Sequence, residues 1–453
     1  MRVAVLDAGF PRKPEEQSGL AANWLKWELA RANVSLSPAN CADVVLVSHR
    51  TAQKPRGVLQ ALRVAGVAGK GQTIILGGQA AMQPAVFDGV VSACCVGEGT
   101  AFVAELLSSC SVQAAIALPC CWVPGETRRV FPCTEFPWHV GPIVGEDATV
   151  RVFASRGCRK MCAFCQVGWQ MPYSEHPRPE RVVAELNGLR ATGRRTALVT
   201  NDVGALSFCG KIGMVGSGSA SFAYIDKLAA NLGVAAVKEK LGSVRLGVEG
   251  VSERIRKAAG KAIGGDALVK LTLALLAGGV GVRWFMIAGM PGESATDWDE
   301  LKECVLAVKR NARKGAVQVS FTAFVPEPAT PLCIAPLDDG YADRYADFDA
   351  WFFRTTAFSR RVQIMKPCNP ASRLIGAMNA MAATESELRR GWEVHDPPNW
   401  RVVYPHQHSL RRAWRRYAQQ MMIARNKEGM DVGKYTGDLA KPRNNLLHAQ
   451  VPI

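Results

Sequence analysis

From its first residues the chain alternates short, wholly apolar runs with longer stretches whose apolar positions recur three or four apart. Residues 3–6, 44–48, 73–76 and 91–96 are runs of the first kind; residues 19–32, 56–68 and 100–107 are of the second. An apolar run with no polar alternation is a strand covered on both faces, and the intervening periodicity is helical. The series predicts a parallel sheet between helices, a Rossmann-like three-layer domain over residues 1–118. Gly77-Gly78 and Gly97-Glu98-Gly99 fall after the third and fourth strands. Ligands bind at such carboxyl ends, and tight turns use glycine there as well.

Between Pro119 and Pro142 the chain has five prolines, clustered cysteines and no periodicity, so residues 119–148 read as a linker with a short hairpin. A second βα series follows. Strand 150–154 enters a cysteine-bearing loop, and Pro179-Glu180 opens a helix, proline taking its favoured first-turn place. Further apolar runs at 196–200, 212–215, 244–248, 282–287 and 317–321 complete six βα units, a partial (β/α)6 TIM barrel over residues 149–335. Its functional groups belong in the loops after the strands. Residues 336–453 change character: 338–358 is rich in aspartate and aromatics, and beyond Trp400 come Arg411, Arg412, Arg415, Arg416 and Arg425, interleaved with Trp414 and Tyr417. Those arginines fall largely on one side of a helix, so a basic, mainly helical C-terminal extension is expected.

Composition narrows the class. A chain of 453 residues exceeds one ordinary core, and 48% hydrophobic with 21% charged residues describes a globular protein. No apolar run reaches the length of a bilayer span, and the opening residues read as a strand instead of a signal peptide. A cytoplasmic protein without a membrane partner is the expectation. The net charge of +16 makes nucleic acid the first partner to consider, against the alternative of a generally basic surface. In a reducing compartment the 14 cysteines are not a disulfide framework. The neighbours Cys94-Cys95 and Cys120-Cys121 have a poor spacing for one metal and read as packing. Cys41, Cys110, Cys133, Cys209, Cys304, Cys333 and Cys368 stand alone.

The chemistry concentrates in Arg156-Gly157-Cys158-Arg159-Lys160-Met161-Cys162-Ala163-Phe164-Cys165, directly after a predicted strand. Iron–sulfur clusters are held by thiolates, normally four for a [4Fe-4S] cube. Three on one loop can hold three irons and leave the fourth open, much as a catalytic zinc keeps one position for substrate. A zinc site with a distant fourth ligand is the competing reading. The spacing C-x3-C-x2-C, with an aromatic before the last cysteine, matches the radical S-adenosylmethionine (SAM) signature.

Other stretches occur in the order of one branch of that superfamily. Ile74-Ile75-Leu76-Gly77-Gly78, Phe87-Asp88-Gly89-Val90-Val91 and Val96-Gly97-Glu98-Gly99 resemble landmarks of its cobalamin-binding-like N-terminal domain. Gly247-Val248-Glu249-Gly250-Val251-Ser252 with Lys257 and Lys261, Phe285-Met286-Ile287-Ala288-Gly289-Met290-Pro291-Gly292-Glu293, and Phe324-Val325-Pro326-Glu327-Pro328-Ala329-Thr330-Pro331 resemble motifs of the fourth, fifth and sixth barrel strands. The chain thus resembles the radical SAM superfamily from about residue 70 to 335.

The resemblance implies a [4Fe-4S] cluster on Cys158, Cys162 and Cys165 whose open iron takes the methionine end of SAM. An electron from an external donor such as flavodoxin or ferredoxin would then yield a 5′-deoxyadenosyl radical that abstracts hydrogen from substrate. It places Phe164 near the adenine, Asn201 and Asp202 at the methionine amino end, and Glu249 with Ser252 at the ribose or carboxylate. Gly289, Pro291 and Gly292 would let backbone approach the adenine. No substrate-directed catalytic residue is singled out. One departure concerns cobalamin: related domains carry D-x-H-x-x-G after the first strand, whereas this loop reads Asp7-Ala8-Gly9-Phe10-Pro11 and the first histidine is His49. A histidine-ligated cobalamin is therefore not expected, and cobalamin without a protein ligand stays open.

For the substrate, the basic balance and Arg- and Trp-rich tail suggest phosphate contact and base stacking, hence modification of a nucleobase in DNA or RNA. Virus-type enzymes that rearrange thymine substituents belong to this class. The alternative is a cobalamin-dependent C-methyltransferase acting on a peptide or small metabolite. A non-catalytic protein with a zinc-filled Cys158 site is the reading from outside enzymology.

Overall fold

The computed structural model describes Met1 to Lys366 apart from residues 11, 17–18, 50–55, 68–70, 83, 88, 126–129, 131–132, 140, 145–147, 166, 169–172, 213–219, 326–331, 333–339 and 357–360. The arginine- and tryptophan-rich tail lies outside the described residues. The chain divides into two compact units, with the boundary between Arg151 and Val152 in the described part.

The first unit runs β1 (Val3–Asp7), α1 (Leu20–Arg31), β2 (Val44–Ser48), α2 (Arg56–Val64), β3 (Thr73–Gly77), β4 (Ala93–Cys95), α3 (Thr100–Ser109), α4 (Val112–Ile116) and β5 (Cys121–Trp122). Its sheet has the order β1-β2-β3-β4-β5, parallel except for the last strand. Successive side chains leave a strand on opposite faces. Ala4, Leu6, Val45, Val47 and Leu76 accordingly pack with Val58, Ala61 and Leu62 of α2. Val3, Val5, Val44, Leu46 and Ile75 pack on the other face with Ala22 and Leu29 of α1 and Phe102 and Leu106 of α3. This is the three-layer arrangement expected from the apolar runs.

A parallel bridge from Val3 to Leu36 adds a fragment of strand outside β1. The chain thus leaves β1 in one direction through α1 and returns to β2 on the other side. That reversal is a topological switch point, and the crevice beyond the carboxyl ends of β1 and β2 is where open α/β sheets take ligands. Asp7 is buried there, its carboxylate accepting the Gly9 and Gly19 N–H groups at 2.7 and 2.6 Å. His49, also buried, follows β2, and the Ala8 N–H donates to the Ser48 carbonyl at 2.9 Å. A histidine therefore stands at the switch point although the loop after β1 has none.

Residues 119–148, expected to be a linker, are stitched to this sheet: β5 pairs with β4, and Cys133 bridges Gly97. The prolines disguise a strand only two residues long. The hairpin of β6 (Ile143–Val144) and β7 (Val150–Phe153) then leads into the second unit.

That unit continues with β8 (Ser155–Arg156), β9 (Ser174–Glu175), α5 (Pro179–Ala191), β10 (Thr196–Val199), α6 (Phe222–Leu241), β11 (Ser243–Glu249), α7 (Glu253–Ala258), α8 (Gly265–Ala277), β12 (Gly281–Ala288), α9 (Ala295–Asn311), β13 (Val317–Ala323), α10 (Tyr341–Thr356) and β14 (Val362–Lys366). Strands β10, β7 and β6 form one sheet, and β11-β12-β13-β14 a second, all parallel. Of the run expected as a strand at 212–215, Ile212 ends a short 3-10 turn, and the rest lies outside the described residues. Val244, Leu246, Val282, Trp284, Val317 and Val319 face the helices and pack with Leu268, Leu275, Leu301 and Val305. The indole of Trp284, wholly buried, donates to Thr272 Oγ1 at 3.0 Å.

The sheet does not stop at residue 335, where the sequence reading ended the barrel. Helix α10 buries Tyr345, Phe348 and Phe352, and β14 adds a strand beside β13. Phe348 meets Trp298 at 5.1 Å and Phe321 at 5.6 Å between ring centroids. Aspartates on the outer side of α10 gave the segment a polar look while its aromatic face completed the core.

Backbone freedom is needed at Gly78, where φ is +85° and a Cβ would stand 2.5 Å from the His49 carbonyl oxygen. Gly71 has φ +68° with nothing within 4 Å. Gly78→Ala is expected to cost the first unit about 3 kcal/mol and Gly71→Ala only about 1 kcal/mol, read from urea unfolding followed by hydrogen exchange of the sheet amides. Equal losses at the two positions would contradict the close approach.

Candidate metal centre

The cysteine loop leaves the second unit's first βα step through the β8–β9 hairpin, in which Ser155 pairs with Glu175 and Arg156 with Ser174. The buried Ser155 hydroxyl meets Thr200 Oγ1 at 2.7 Å, tying the hairpin to the end of β10. Left-handed backbone at Gly157 (φ 67°) and Met161 (φ 48°) turns the loop back on itself. The loop is anchored through its backbone: the Ala163 N–H donates to the Ala259 carbonyl (3.0 Å), the Leu332 N–H to the Ala163 carbonyl (3.1 Å), and the Cys165 N–H to the Cys162 carbonyl (3.1 Å). Gly168 packs so closely that a Cβ would lie 3.1 Å from the Cys158 carbonyl oxygen. Arg159 stacks over Tyr173 at 4.2 Å and pairs with Glu175 at 3.3 Å.

Cys158 Sγ accepts the Lys160 N–H at 3.4 Å within the same loop. Cys162 is buried, and Cys158 and Cys165 are half-buried. Burial pushes the Cys162 thiol up to about 11; the Lys261 ammonium opposes this, while Cys165, Cys158 and Glu249 add to it. Burial raises Cys165 too, partly offset by a backbone hydrogen bond from Val167. Such thiols ionise when a cation arrives to hold them. Among the described residues, the metal-ligating atoms that gather within 4.8 Å of one another belong to Cys95, Cys120 and Cys121. Cys158, Cys162 and Cys165 are set more openly, as befits thiolates that each take a separate iron of a cube. The donor set and its spacing fit a [4Fe-4S] cluster.

Residues from later strand ends gather beside the loop. Asn201, after β10, donates from Nδ2 to the Gly157 carbonyl at 2.8 Å, so its amide holds the loop. The buried Asp202 carboxylate accepts the Gly204 and Ser221 N–H groups at 3.0 and 2.9 Å and pairs with Lys160 at 3.9 Å. Both residues expected at the methionine end of SAM therefore act on the loop itself.

Glu249 ends β11 at a bulge, where register with β12 shifts between Gly247 and Glu249, and its φ is +70°. A non-glycine residue in that region is strained, and bulges re-aim side chains near active sites. Its Oε1 lies 3.3 Å from Lys261 Nζ, which also donates to the Gly247 carbonyl at 3.0 Å. A Cβ on Gly247 would come within 2.6 Å of that carboxylate oxygen, so glycine makes the room. Burial raises the Glu249 carboxyl, with Lys261 pulling it back. Lys261 is the functional side chain not singled out from the sequence, where it stood only inside the fourth-strand motif.

Ser252 is placed differently from expectation. Its hydroxyl caps α7, accepting the Ile255 N–H at 3.3 Å, and donates to Asp297 Oδ1 at 2.5 Å. Asp297 also takes Arg254 at 2.6 Å and Ser294 at 2.7 Å. Ser252 thus positions the loop after β11, and its hydroxyl is already engaged at both ends. Gly289 (φ 77°) and Gly292 (φ 76°) turn the loop after β12 around Pro291. Glu293 shapes that loop by accepting the Gly289 and Met290 N–H groups at 2.9 and 3.3 Å and the Trp298 indole at 2.8 Å. Phe164 is half-buried in the cysteine loop. The expected site residues thus come from loops after strands, although among the described residues those strands form separate sheets, β10-β7-β6 and β11-β12-β13-β14, with no pairing between β10 and β11.

No family model and no curated protein matches the sequence. Among solved structures, the chain resembles the radical SAM methyltransferase TsrM from Kitasatospora setae with cobalamin and a [4Fe-4S] cluster bound. The TM-score is 0.50 at 13% identity, over 73% of this chain and 74% of that one. The same enzyme with tryptophan substrate and the SAM analogue aza-SAM gives 0.50 at 14% identity and the same coverage. The cobalamin-dependent SAM radical enzyme OxsB with aqua-cobalamin gives 0.49 at 14%, over 68% of this chain and 52% of that chain. At these identities the likeness is one of fold: the chain shares the α/β fold of TsrM.

The loop after β12 carries a pH signature. Burial raises the Glu293 carboxyl from 4.5 to about 7, against its Trp298, Gly289, Arg344 and Met290 partners. A carboxyl raised by folding stabilises fully below its unfolded value, and the contribution is lost as pH rises through the folded one. The urea midpoint of the second unit is expected to fall between about pH 5 and pH 8 by the equivalent of roughly 3 kcal/mol at most. Glu293→Gln should flatten that slope; an unchanged slope would show that burial does not control this carboxyl.

Proposed function

We propose that the chain is a radical SAM enzyme, that it holds a [4Fe-4S] cluster on Cys158, Cys162 and Cys165, and that it uses cobalamin for methyl transfer to a carbon of a small metabolite or peptide. The observation that carries the reading is the cysteine loop at a barrel strand's carboxyl end, with Glu249 and Lys261 beside it. Bound there, the cluster would supply the electron that cleaves the SAM sulfonium. The protein's own residues hold and screen the site. Lys261 offsets the negative charge that three thiolates bring, and Asn201 fixes the loop through Gly157. Glu249, aimed by its bulge, offers a carboxylate to the hydroxyl or ammonium groups of SAM. Gly289 and Gly292 keep side chains off the wall that an adenine would approach.

Cobalamin fits the first unit's switch point. Gly9 follows β1 and Gly77 ends β3 beside the crevice, and a Cβ on Gly77 would meet nothing within 4 Å. Asp7 organises the same loop through backbone N–H groups. The fold likeness supports this cofactor and favours methyl transfer over nucleobase modification, whose main support, the basic tail, lies beyond residue 366. An external one-electron donor completes the requirement. No helix among the described residues is long and apolar enough to cross a membrane.

Oxygen-free reconstitution with iron, sulfide and hydroxocobalamin, followed by gel filtration, tests both cofactors. About four irons per chain and co-eluting cobalamin absorbance are expected, with the iron lost when all three loop cysteines become alanine. Cobalamin that runs apart from the protein rejects the methyl-transfer reading. SAM cleavage that appears only when duplex DNA or tRNA is added selects nucleobase modification instead. Glu249→Gln is expected to reduce SAM cleavage by about tenfold or more at unchanged iron content, the cost of one charged hydrogen bond.

A further inference from the structure

We propose that Cys95, Cys120 and Cys121 form a structural site for a single Zn²⁺ ion in the first unit, separate from the loop that holds Cys158. The adjacent pairs Cys94-Cys95 and Cys120-Cys121 looked like packing because neighbours in sequence chelate one ion poorly. The sheet removes that objection by bringing the two segments together. Cys95 on β4 pairs directly opposite Cys121 on β5, and Cys120 precedes it. All three are buried, and their sulfurs lie within 4.8 Å of one another. Thiolates at about 2.3 Å on tetrahedral zinc stand roughly 3.8 Å apart, so small side-chain rotations suffice. Cys94, facing the opposite side of the sheet, belongs to the packing described for the α2 face.

Cys133 is the candidate fourth ligand. Its N–H donates to the Val96 carbonyl at 3.0 Å, its carbonyl accepts the Glu98 N–H at 2.8 Å, and it packs on the same apolar cluster as Cys95, Cys120 and Cys121. Sulfur contacts that a cation would replace include Cys121 Sγ to the Ala115 carbonyl at 3.4 Å and Cys95 Sγ to the Glu98 carbonyl at 3.9 Å. Hydrogen bonding to Cys120 and Cys121, together with burial, holds Cys95 strongly in the thiol form. A thiophilic cation would displace one proton from each of the three gathered sulfurs and a fourth from Cys133, whose sulfur lies outside that group and must swing in, forming four metal–sulfur bonds and releasing four protons to solvent. The benefit is local: β5 is two residues long, and zinc would fasten it to β4.

The test uses the full-length chain with Cys158, Cys162 and Cys165 changed to alanine, so that iron chemistry cannot contribute. Purified without oxygen, it should carry about one zinc per chain, and Co²⁺ in place of zinc should give thiolate charge-transfer and tetrahedral d–d absorption. Adding Cys95→Ala or Cys121→Ala should abolish both signals. Where such a variant does not fold, the Co²⁺ spectrum of the parent decides. Absence of zinc and of cobalt bands, or an internal disulfide that lowers the unreduced mass by two hydrogens, overturns the proposal. The iron content of the wild-type chain reports on the proposed enzyme separately, so either reading can fail alone.

Discussion

The constraint that organises the second unit is the cost of placing three sulfur anions where water is scarce. Burial pushes Cys162 and Cys165 toward the neutral thiol, and the chain answers with the Lys261 cation beside the loop. Several polar groups of the loop are engaged elsewhere. Backbone N–H groups go to the Ala259 and Cys162 carbonyls, the Gly157 carbonyl accepts from Asn201, and Arg159 and Lys160 pair with Glu175 and Asp202.

The same economy appears around the strand ends. Glu249 adopts a conformation that costs backbone energy, and the bulge that imposes it also aims the carboxylate beside Lys261. Ser252 and Glu293 support the loops without needing to touch a ligand, one through Asp297 and the other through Trp298 and two backbone donors. Strain at the reacting face and hydrogen bonding behind it are complementary. A precise site needs a fixed frame, and a fixed frame can hold a strained residue.

In the first unit the governing feature is topological. Reversal of strand order between β1 and β2 opens a crevice into which the two loops must converge. The loop after β1 is joined to β2 by the Ala8 N–H to the Ser48 carbonyl, and His49 to β3 by its N–H to the Gly77 carbonyl.

By itself the sequence determined most strands of both units and marked the cysteine loop, because apolar runs and a short cysteine spacing are local patterns. It marked Glu249 and the turn at Gly289, whose roles depend on adjacent residues. Only the tertiary structure decided that Cys95, Cys120 and Cys121 share a place, that Lys261 stands beside the cysteine loop, that Ser252 is engaged by Asp297, and that α10 and β14 extend the core. Each of those facts joins residues whose separation along the chain exceeds the reach of helical or strand periodicity. Their meeting is set by how sheets and helices pack, and the linear order carries no measure of that distance.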